Sequence, residues 1–210
     1  LGCVWKLEKL CRNKALKAAV EKPEKVKLFL NVDGNIIQDK AFIQGFTNRK
    51  AMKAGVPASD IVFEITERSD IENYQILQQI MKHYADQGYE IALDDVGAGH
   101  SGLNRVVNTT PDYLKADIEL VRDIHKYKKK KIMMKLLLDY CNATGTILIA
   151  EGIETVQELE CLHSLGVHYG QGFFLGKPER AFGNISAESE EILERLNGRK
   201  NILFLDISGK

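Results

Sequence analysis

Short apolar runs alternate along this chain with longer stretches in which apolar residues recur at helical spacing. The runs, most of which stop at a carboxylate, an amide or a lysine, predict strands over 26–32, 60–66, 89–94, 112–117, 146–151 and 167–174. The stretches between them predict helices over 3–20, 40–54, 70–85, 118–143 and 156–165, with a short helix after a glycine-rich loop. This alternation of strands and helices predicts an α/β fold with a parallel sheet.

The polar residues at the ends of the predicted strands are candidate functional residues. In a parallel βα barrel all strands point the same way, so the residues that end them meet at one mouth. Charged groups at the ends of buried strands are costly unless a counter-charge neutralises them, and a divalent cation is one such counter-charge. The pattern therefore predicts a metal site at the mouth, formed from Asn31, Glu64, Asp94, Asp95, Lys115, Glu151 and Gln171.

The first helix and the last segment differ from the repeating unit. Over 3–20 the spacing predicts a helix with Val4, Leu7, Leu10, Cys11 and Leu16 on one side. After Pro178 a charged helix over 187–196 and an apolar run over 201–205 follow. We therefore divide the chain into a barrel domain over 1–182 and a C-terminal helix and strand over 183–210, which we interpret as a linker, the start of another module or an element added to the barrel.

Composition limits the classes of partner. The 210 residues suit one large domain, and Lys plus Arg (29) balances Asp plus Glu (29), which argues against a nucleic-acid-binding surface. The basic run over 128–131 is interpreted as a solvated helix face. No apolar stretch has the length of a membrane span, and the four cysteines lack CxxC spacing and are interpreted as reduced thiols. We expect a cytoplasmic protein, or the cytoplasmic part of a larger signalling protein.

Gly97, Gly99 and Gly102 fit the GxGxxG pattern of dinucleotide-binding folds. The helix between Gly102 and Pro111 is too short for a normal crossover beneath a pyrophosphate. The pair Asp94-Asp95 would also place two negative charges close to the diphosphate. We favour a loop whose glycines let the backbone move beside the metal site, or a tight turn.

Six segments, taken in order and spacing, resemble the EAL domain, a family of bacterial phosphodiesterases that hydrolyse cyclic di-GMP. The resemblance covers about residues 1–180. The segments that carry it are Leu30-Asn31-Val32-Asp33, Glu64-Ile65-Thr66-Glu67, Asp94-Asp95-Val96-Gly97-Ala98-Gly99, Leu114-Lys115-Ala116-Asp117, Ala150-Glu151-Gly152-Ile153-Glu154-Thr155 and Gln171-Gly172-Phe173-Phe174.

The resemblance implies a TIM-like barrel with two Mg²⁺ or Mn²⁺ ions. It places the first ion on Asn31, Glu64 and Asp94, and the second on Asp94, Asp95 and Glu151, with Asp94 bridging. Water activated between ions about 3.5–4 Å apart then attacks phosphorus and opens the ring to linear pGpG. Lys115 orients that water and neutralises charge in the transition state. Lys115, Glu151 and Asp95 are thus the predicted catalytic residues.

A further set of residues is predicted to bind substrate or support the loops. In the family Glu67 tethers the loop that follows Asp95. An ordinary ion pair between Lys115 and Asp117, and a helix-capping role for Glu67 or Glu154, remain open as alternatives. The complete predicted set is Glu67, Asp117, Glu154, Gln171, Gly97 and Gly99.

The chain departs from the family pattern in three places. The Glu-Ala-Leu segment, whose glutamate binds the first metal, is absent, and about six of the eight barrel strands are present. We therefore expect an incomplete barrel and a chain that by itself is weakly active or inactive. Val96 and Ala98 replace the usual Phe and Thr of the loop, and Ala116 replaces an Ile.

The leading functional hypothesis is a cyclic-guanylate-specific phosphodiesterase, active in the intact protein. The alternative is a non-catalytic EAL module that binds cyclic di-GMP or a partner protein as a sensor. We further expect a homodimer through the 118–143 helix and the 96–102 loop, with no nucleic acid and no membrane segment.

Overall fold

β-branched and aromatic residues form the strands, and each strand returns to the same sheet through a helix. The structure, a computed structural model, describes residues 4–24, 26–34, 36, 39–65, 74–97, 102–179 and 182–197. Within these residues a six-stranded parallel sheet runs in sequential order. Its strands are β1 (Leu28–Val32), β2 (Ile61–Ile65), β3 (Glu90–Val96), β4 (Tyr113–Ala116), β5 (Ile147–Ala150) and β6 (Tyr169–Gly170).

The helices follow the strands along the chain. They are α1 (Val4–Ala18), α2 (Phe46–Ala54), α3 (Tyr74–Ala85), α4 (Gly102–Asn108), α5 (Ile118–Val121), α6 (Lys128–Thr144), α7 (Val156–Leu165) and α8 (Ala187–Asn197). Short 3₁₀ turns over Ala19–Glu21 and Ala58–Asp60 precede β1 and β2. The sequential parallel order confirms the predicted incomplete TIM-like barrel. Among the described helices, none has the length and apolar character to cross a bilayer.

Both faces of the sheet are buried, as β2 illustrates. Ile61, Phe63 and Ile65 point outward into an apolar cluster shared with α1, α2 and α3. Val62 points to the opposite face, where it packs with Phe29, Ala92, Tyr113 and Ile149. Because side chains alternate along a strand, Glu64 lies on the same inner face as Val62, one step closer to the mouth.

The predicted helix over 118–143 is wrong as a single element. Asp117 caps α5 by accepting a hydrogen bond from the Glu119 N–H at 2.7 Å, and α5 ends at Val121. Asp123 then adopts the left-handed conformation (φ 56°) and Tyr127 is extended, so the helix restarts at Lys128. Lys130 Nζ closes this connection by donating to the Arg122 carbonyl at 2.6 Å.

Two other predicted bounds also need correction. The helix predicted over 40–54 begins at Phe46, because residue 45 is left-handed and cannot continue it. The strand predicted over 167–174 pairs only at Tyr169 and Gly170, after which the chain leaves the sheet and turns over 172–175.

The buried face of α1 differs from the predicted one. Trp5, Arg12 and Leu16 are buried, whereas Leu7 is 63% exposed. The Arg12 guanidinium stacks on the Phe63 ring and donates to the Thr47 hydroxyl at 3.1 Å. These partners allow the charged Arg12 side chain to lie in the apolar layer between α1 and the sheet.

Helix α8 packs on the barrel. Leu193 is buried against the α7 layer, and the Ser186 and Ser189 hydroxyls both donate to the Phe174 carbonyl at 3.1 and 2.6 Å. The C-terminal tail therefore contacts the segment that follows β6. The predicted strand over 201–205 lies outside the described residues, and the division of the chain at residue 182 stays a prediction.

Candidate functional site

Lys115, the third residue of β4, lies at the centre of a cluster of carboxylates inside the barrel mouth. Its Nζ atom lies 2.6 Å from Glu64 Oε1, 2.9 Å from Asp94 Oδ1 and 2.6 Å from Glu151 Oε1. These residues come from β2, β3, β4 and the end of β5, so the parallel register brings together groups up to 87 positions apart in the sequence. The Lys115 side chain is 4% exposed and that of Glu64 is 6% exposed.

Burial and charge act against each other in this cluster. Burial by itself lowers the pKa of Lys115. The neighbouring carboxylates of Glu64, Glu151 and Asp94 raise this pKa by more than burial lowers it, so the net pKa is well above its ordinary value and the ammonium stays charged. Burial raises the pKa of Glu151 to about 8, with Asp94 and Glu64 adding to the rise and Lys115 opposing it. The single ammonium does not balance its acidic neighbours, so Glu151 holds a proton near neutral pH.

Asp94 and Asp95 are adjacent in β3, and regular strand geometry would point them to opposite faces. The pairing of β3 with β4 shifts register between Leu93 and Val96, and Asp95 adopts a left-handed conformation (φ 57°). This bulge turns both carboxylates toward the mouth. Carboxylate oxygens of Asp94, Asp95 and Glu151 consequently lie within 4.8 Å of one another.

Asn31 and Gln171 lie on either side of this cluster. Asn31 is the register partner of Glu64 in the parallel pairing of β1 and β2, so its exposed side chain emerges on the same face. Gln171 follows β6, and its side-chain Nε2 donates to Glu151 Oε1. The backbone fixes that position as well, because the Gln171 N–H donates to the Ala150 carbonyl at 2.8 Å.

Other predicted site residues occupy supporting positions. Asp117 is buried and caps α5, and the Glu154 carboxylate faces Arg122 at 3.6 Å while remaining largely exposed. Gly97 has a φ of 109°, a conformation that favours glycine, directly after β3. Glu67 and Gly99 lie outside the described residues. Their predicted roles, like those of all the site residues, stay predictions.

The donor set suits hard divalent cations. Asn31, Glu64, Asp94, Asp95 and Glu151 offer carboxylate and amide oxygens, the ligands that Mg²⁺ and Mn²⁺ prefer. Once Glu151 loses its proton, as a metal ligand must, the four carboxylates would carry four negative charges against one positive charge on Lys115, and three would be left for cations to balance. Asn31, Glu64 and Asp94 could hold one ion, and Asp94, Asp95 and Glu151 a second.

One supporting residue was not identified from the sequence. Glu158 in α7 is buried and accepts hydrogen bonds from backbone N–H groups on two different loops of the mouth. Its sequence signal is the capping-box spacing Thr155-x-x-Glu158, a pattern that marks the start of a helix and is satisfied here.

Several known proteins resemble this chain in sequence. The EAL domain model matches residues 3–178. The cyclic di-GMP phosphodiesterase PdeB of Shewanella oneidensis is 25% identical over 150 residues, which cover 71% of this chain and 17% of that protein. This chain thus spans about a fifth of the length of the first curated relatives that it matches, between 17% and 20%.

Solved structures extend the likeness to three dimensions. A standalone EAL protein from Vibrio cholerae in its c-di-GMP-bound form superposes with a TM-score of 0.78 at 27% identity, covering 88% of this chain and 78% of that chain. A manganese and cyclic di-GMP complex of Klebsiella pneumoniae BlrP1 gives 0.77 at 29% identity, covering 82% of this chain and 44% of that one. A calcium complex of BlrP1 gives 0.80 at 29% identity, with coverages of 86% and 46%.

The sheet order, the carboxylates gathered at the strand ends and the match over residues 3–178 lead to one assignment: this chain belongs to the EAL domain family.

Proposed function

We propose that the protein containing this chain hydrolyses cyclic di-GMP to linear pGpG, using two Mg²⁺ or Mn²⁺ ions bound at the barrel mouth. The observation that carries the proposal is the convergence of Asp94, Asp95 and Glu151 within 4.8 Å, beside the buried ammonium of Lys115. Relatives named cyclic di-GMP phosphodiesterases, and structures containing cyclic di-GMP with manganese or calcium, support the choice of substrate and of cation class.

The chain's own residues prepare this site before any cation binds. Lys115 holds Glu64, Asp94 and Glu151 in place against their mutual repulsion. Gln171 donates to Glu151 Oε1, the same carboxylate oxygen that contacts Lys115, and so helps to hold this carboxylate in place. The bound cations would supply an activated water and stabilise negative charge on the phosphate. Beside them the Lys115 ammonium is positioned to attract the negatively charged phosphodiester.

The direct test is turnover of cyclic di-GMP followed by chromatography, with Mn²⁺ and with EDTA. It should be run on this chain and on an N-terminally extended version that carries the Glu-Ala-Leu motif. We expect pGpG to form only with the cation, and at a much higher rate in the extended version. Binding of cyclic di-GMP without turnover in the extended version, with Mn²⁺ present, would instead support the non-catalytic alternative.

We also propose that the protein forms a homodimer through α6. This helix exposes Ile132, Met133 and Leu136 on its outer side. Of the 96–102 loop, the structure describes Val96, Gly97 and Gly102. Apolar side chains grouped on an outer helix face are typical of an interface. Sedimentation velocity should show a dimer that Leu136→Glu converts to a monomer. The control Lys135→Glu, a charge change at the neighbouring position of the same helix, should leave a larger dimer fraction than Leu136→Glu does. A wild-type monomer at high concentration would contradict this proposal.

A further inference from the structure

Glu158 joins two loops that follow neighbouring strands of the mouth. Its Oε2 atom accepts from the N–H groups of Glu154 and Thr155, both at 3.0 Å, and its Oε1 atom accepts from the N–H of Asp123 at 2.8 Å. The Glu158 residue is 3% exposed. A capping box needs only the bond to the Thr155 N–H, so the bond to Asp123 exceeds what the start of α7 requires.

The two loops come from different parts of the barrel. Glu154 and Thr155 close the segment that follows Glu151 at the end of β5. Asp123 lies in the connection from α5 to α6, two residues after α5 ends at Val121, and adopts a left-handed conformation (φ 56°). A buried carboxylate that accepts from both segments fixes their separation, because each N–H bond is short and directional.

A second contact joins the same two segments nearer to Glu151. A Cβ atom on Gly152 would lie 2.3 Å from Ile118 Cγ1, so α5 packs directly on the backbone that follows Glu151. The Glu151 N–H is held by the Ala116 carbonyl at 3.0 Å, and the Ile153 N–H by the Gln171 carbonyl at 3.0 Å. The segment from Glu151 to Thr155 is thus pressed against α5 in its middle and attached through Glu158 at its end.

We propose that Glu158 is a positioning residue that clamps the loop carrying Glu151 to the connection into α6, so that the position of α6 influences the metal-binding carboxylate. The inference rests on the proposed function, because it assigns Glu151 to the metal site. Glu158 itself contacts backbone N–H groups and acts through Glu151.

The clamp depends on a carboxylate with two accepting oxygens. A glutamine at this position has one accepting oxygen, which would serve Glu154 and Thr155 together and preserve the capping box. Its NH₂ group would then face the N–H of Asp123, donor against donor. Glu158→Gln should therefore release α6 from the loop while leaving the start of α7 intact.

The experiment compares Glu158→Gln with the matched control Thr155→Ala in the full 210-residue chain. Thr155→Ala removes the hydroxyl that accepts from the Glu158 N–H at 3.3 Å, so it weakens the helix cap but leaves the carboxylate and its three donors in place. Amide hydrogen exchange by NMR reports each backbone bond, and a Mn²⁺ titration reports the metal site. Urea unfolding verifies that both variants are folded under the assay conditions.

In Glu158→Gln we expect the Asp123 amide to exchange at least about tenfold faster while the Glu154 and Thr155 amides stay protected. The Ile153 amide should exchange faster as well, and Mn²⁺ should bind about threefold to tenfold more weakly, because a supporting hydrogen bond has been lost. In Thr155→Ala both Asp123 exchange and Mn²⁺ affinity should match the wild type.

Three results would overturn the clamp: unchanged exchange at Asp123 in Glu158→Gln, faster exchange there with no change at Ile153 or in Mn²⁺ affinity, or an equal loss of Mn²⁺ affinity in both variants. A wild-type chain that binds no Mn²⁺ at all would count against the proposed function. In that case the amide exchange rates of Asp123 and Ile153 still test the clamp, so failure of the clamp and failure of the proposed function can be told apart.

Discussion

Replacing Lys115 with methionine removes the positive charge that directly contacts the carboxylates of Glu64, Asp94 and Glu151. Methionine has nearly the same length and fills the same space, so the substitution leaves little cavity. What changes is the charge balance: three acidic groups that now face an ammonium at 2.6–2.9 Å would face one another.

The expected cost is that of breaking a buried ion pair. Removing one partner from such a pair typically costs about 3–5 kcal/mol, because the remaining charge is buried without compensation. The Lys115 side chain is only 4% exposed, so solvent screening does not reduce this value greatly. Protonation limits the loss, because carboxylates that lose their counter-ion bind protons more readily. The cost should therefore be largest at pH 8 and should shrink toward pH 5.

Urea unfolding followed by circular dichroism measures the free energy of unfolding at each pH, first in EDTA and then in Mn²⁺. We expect Lys115→Met to be less stable than the wild type by about 3–5 kcal/mol in EDTA at pH 8, and Mn²⁺ to restore part of this loss. Lys27→Met is the matched control, because Lys27 pairs with Glu90 at 2.6 Å but both side chains are about a quarter exposed, 25% and 29%. That change should cost about 0–1 kcal/mol. Equal stability of Lys115→Met and the wild type in EDTA at pH 8 would refute the reasoning.

Three further predictions concern cation binding. Asp94→Asn should abolish Mn²⁺ binding, because it removes charge from the residue assigned to both ions, whereas Asn31→Ala should weaken Mn²⁺ binding by a smaller factor. Calorimetry that ranks the two variants in the reverse order would contradict the ligand assignment. Mg²⁺ or Mn²⁺ should support turnover in the N-terminally extended version and Ca²⁺ should inhibit it, because calcium takes more ligands at longer distances; equal initial rates with calcium would exclude this explanation. The pKa of Glu151 is raised to about 8, so a cation must displace its proton, and Mn²⁺ affinity should rise from pH 6 to pH 8, by about tenfold per unit at most, and then level off. Titrations in buffers of different ionisation enthalpy would detect the released proton, and a flat pH profile would contradict the assignment of Glu151.

The sequence predicts the sheet well because each strand is a short apolar run with a polar end. Glu64, Lys115 and Glu151 could be assigned to one site from that pattern alone, since parallel strands bring their ends together. The bulge at Asp94 and Asp95 is different. Strand alternation would separate the two side chains, and the apolar pattern of the run does not indicate the register shift against β4 or the left-handed conformation of Asp95.

The α5–α6 break and the buried Arg12 were missed for a related reason. Residues 118–143 have helical periodicity throughout, so nothing local marks the left-handed Asp123 that the Glu158 carboxylate stabilises. In α1 the apolar periodicity favours Val4, Leu7 and Leu10, whereas Arg12 is buried because Thr47, Phe63 and Tyr84 come from distant elements to meet it. Contacts with residues distant in the sequence determine both the α5–α6 break and the burial of Arg12, and apolar periodicity gives no information about such contacts.

Lys115 connects the stability of this fold with its proposed chemistry. Without the Lys115 ammonium, the carboxylates of Glu64, Asp94 and Glu151 would repel one another, and this repulsion would destabilise the strands that carry them. One ammonium and one retained proton on Glu151 hold the group together, yet they leave negative charge unbalanced. A divalent cation bound there would displace that proton. The site is therefore assembled in advance, and its excess negative charge provides the affinity for the cations that we propose it binds.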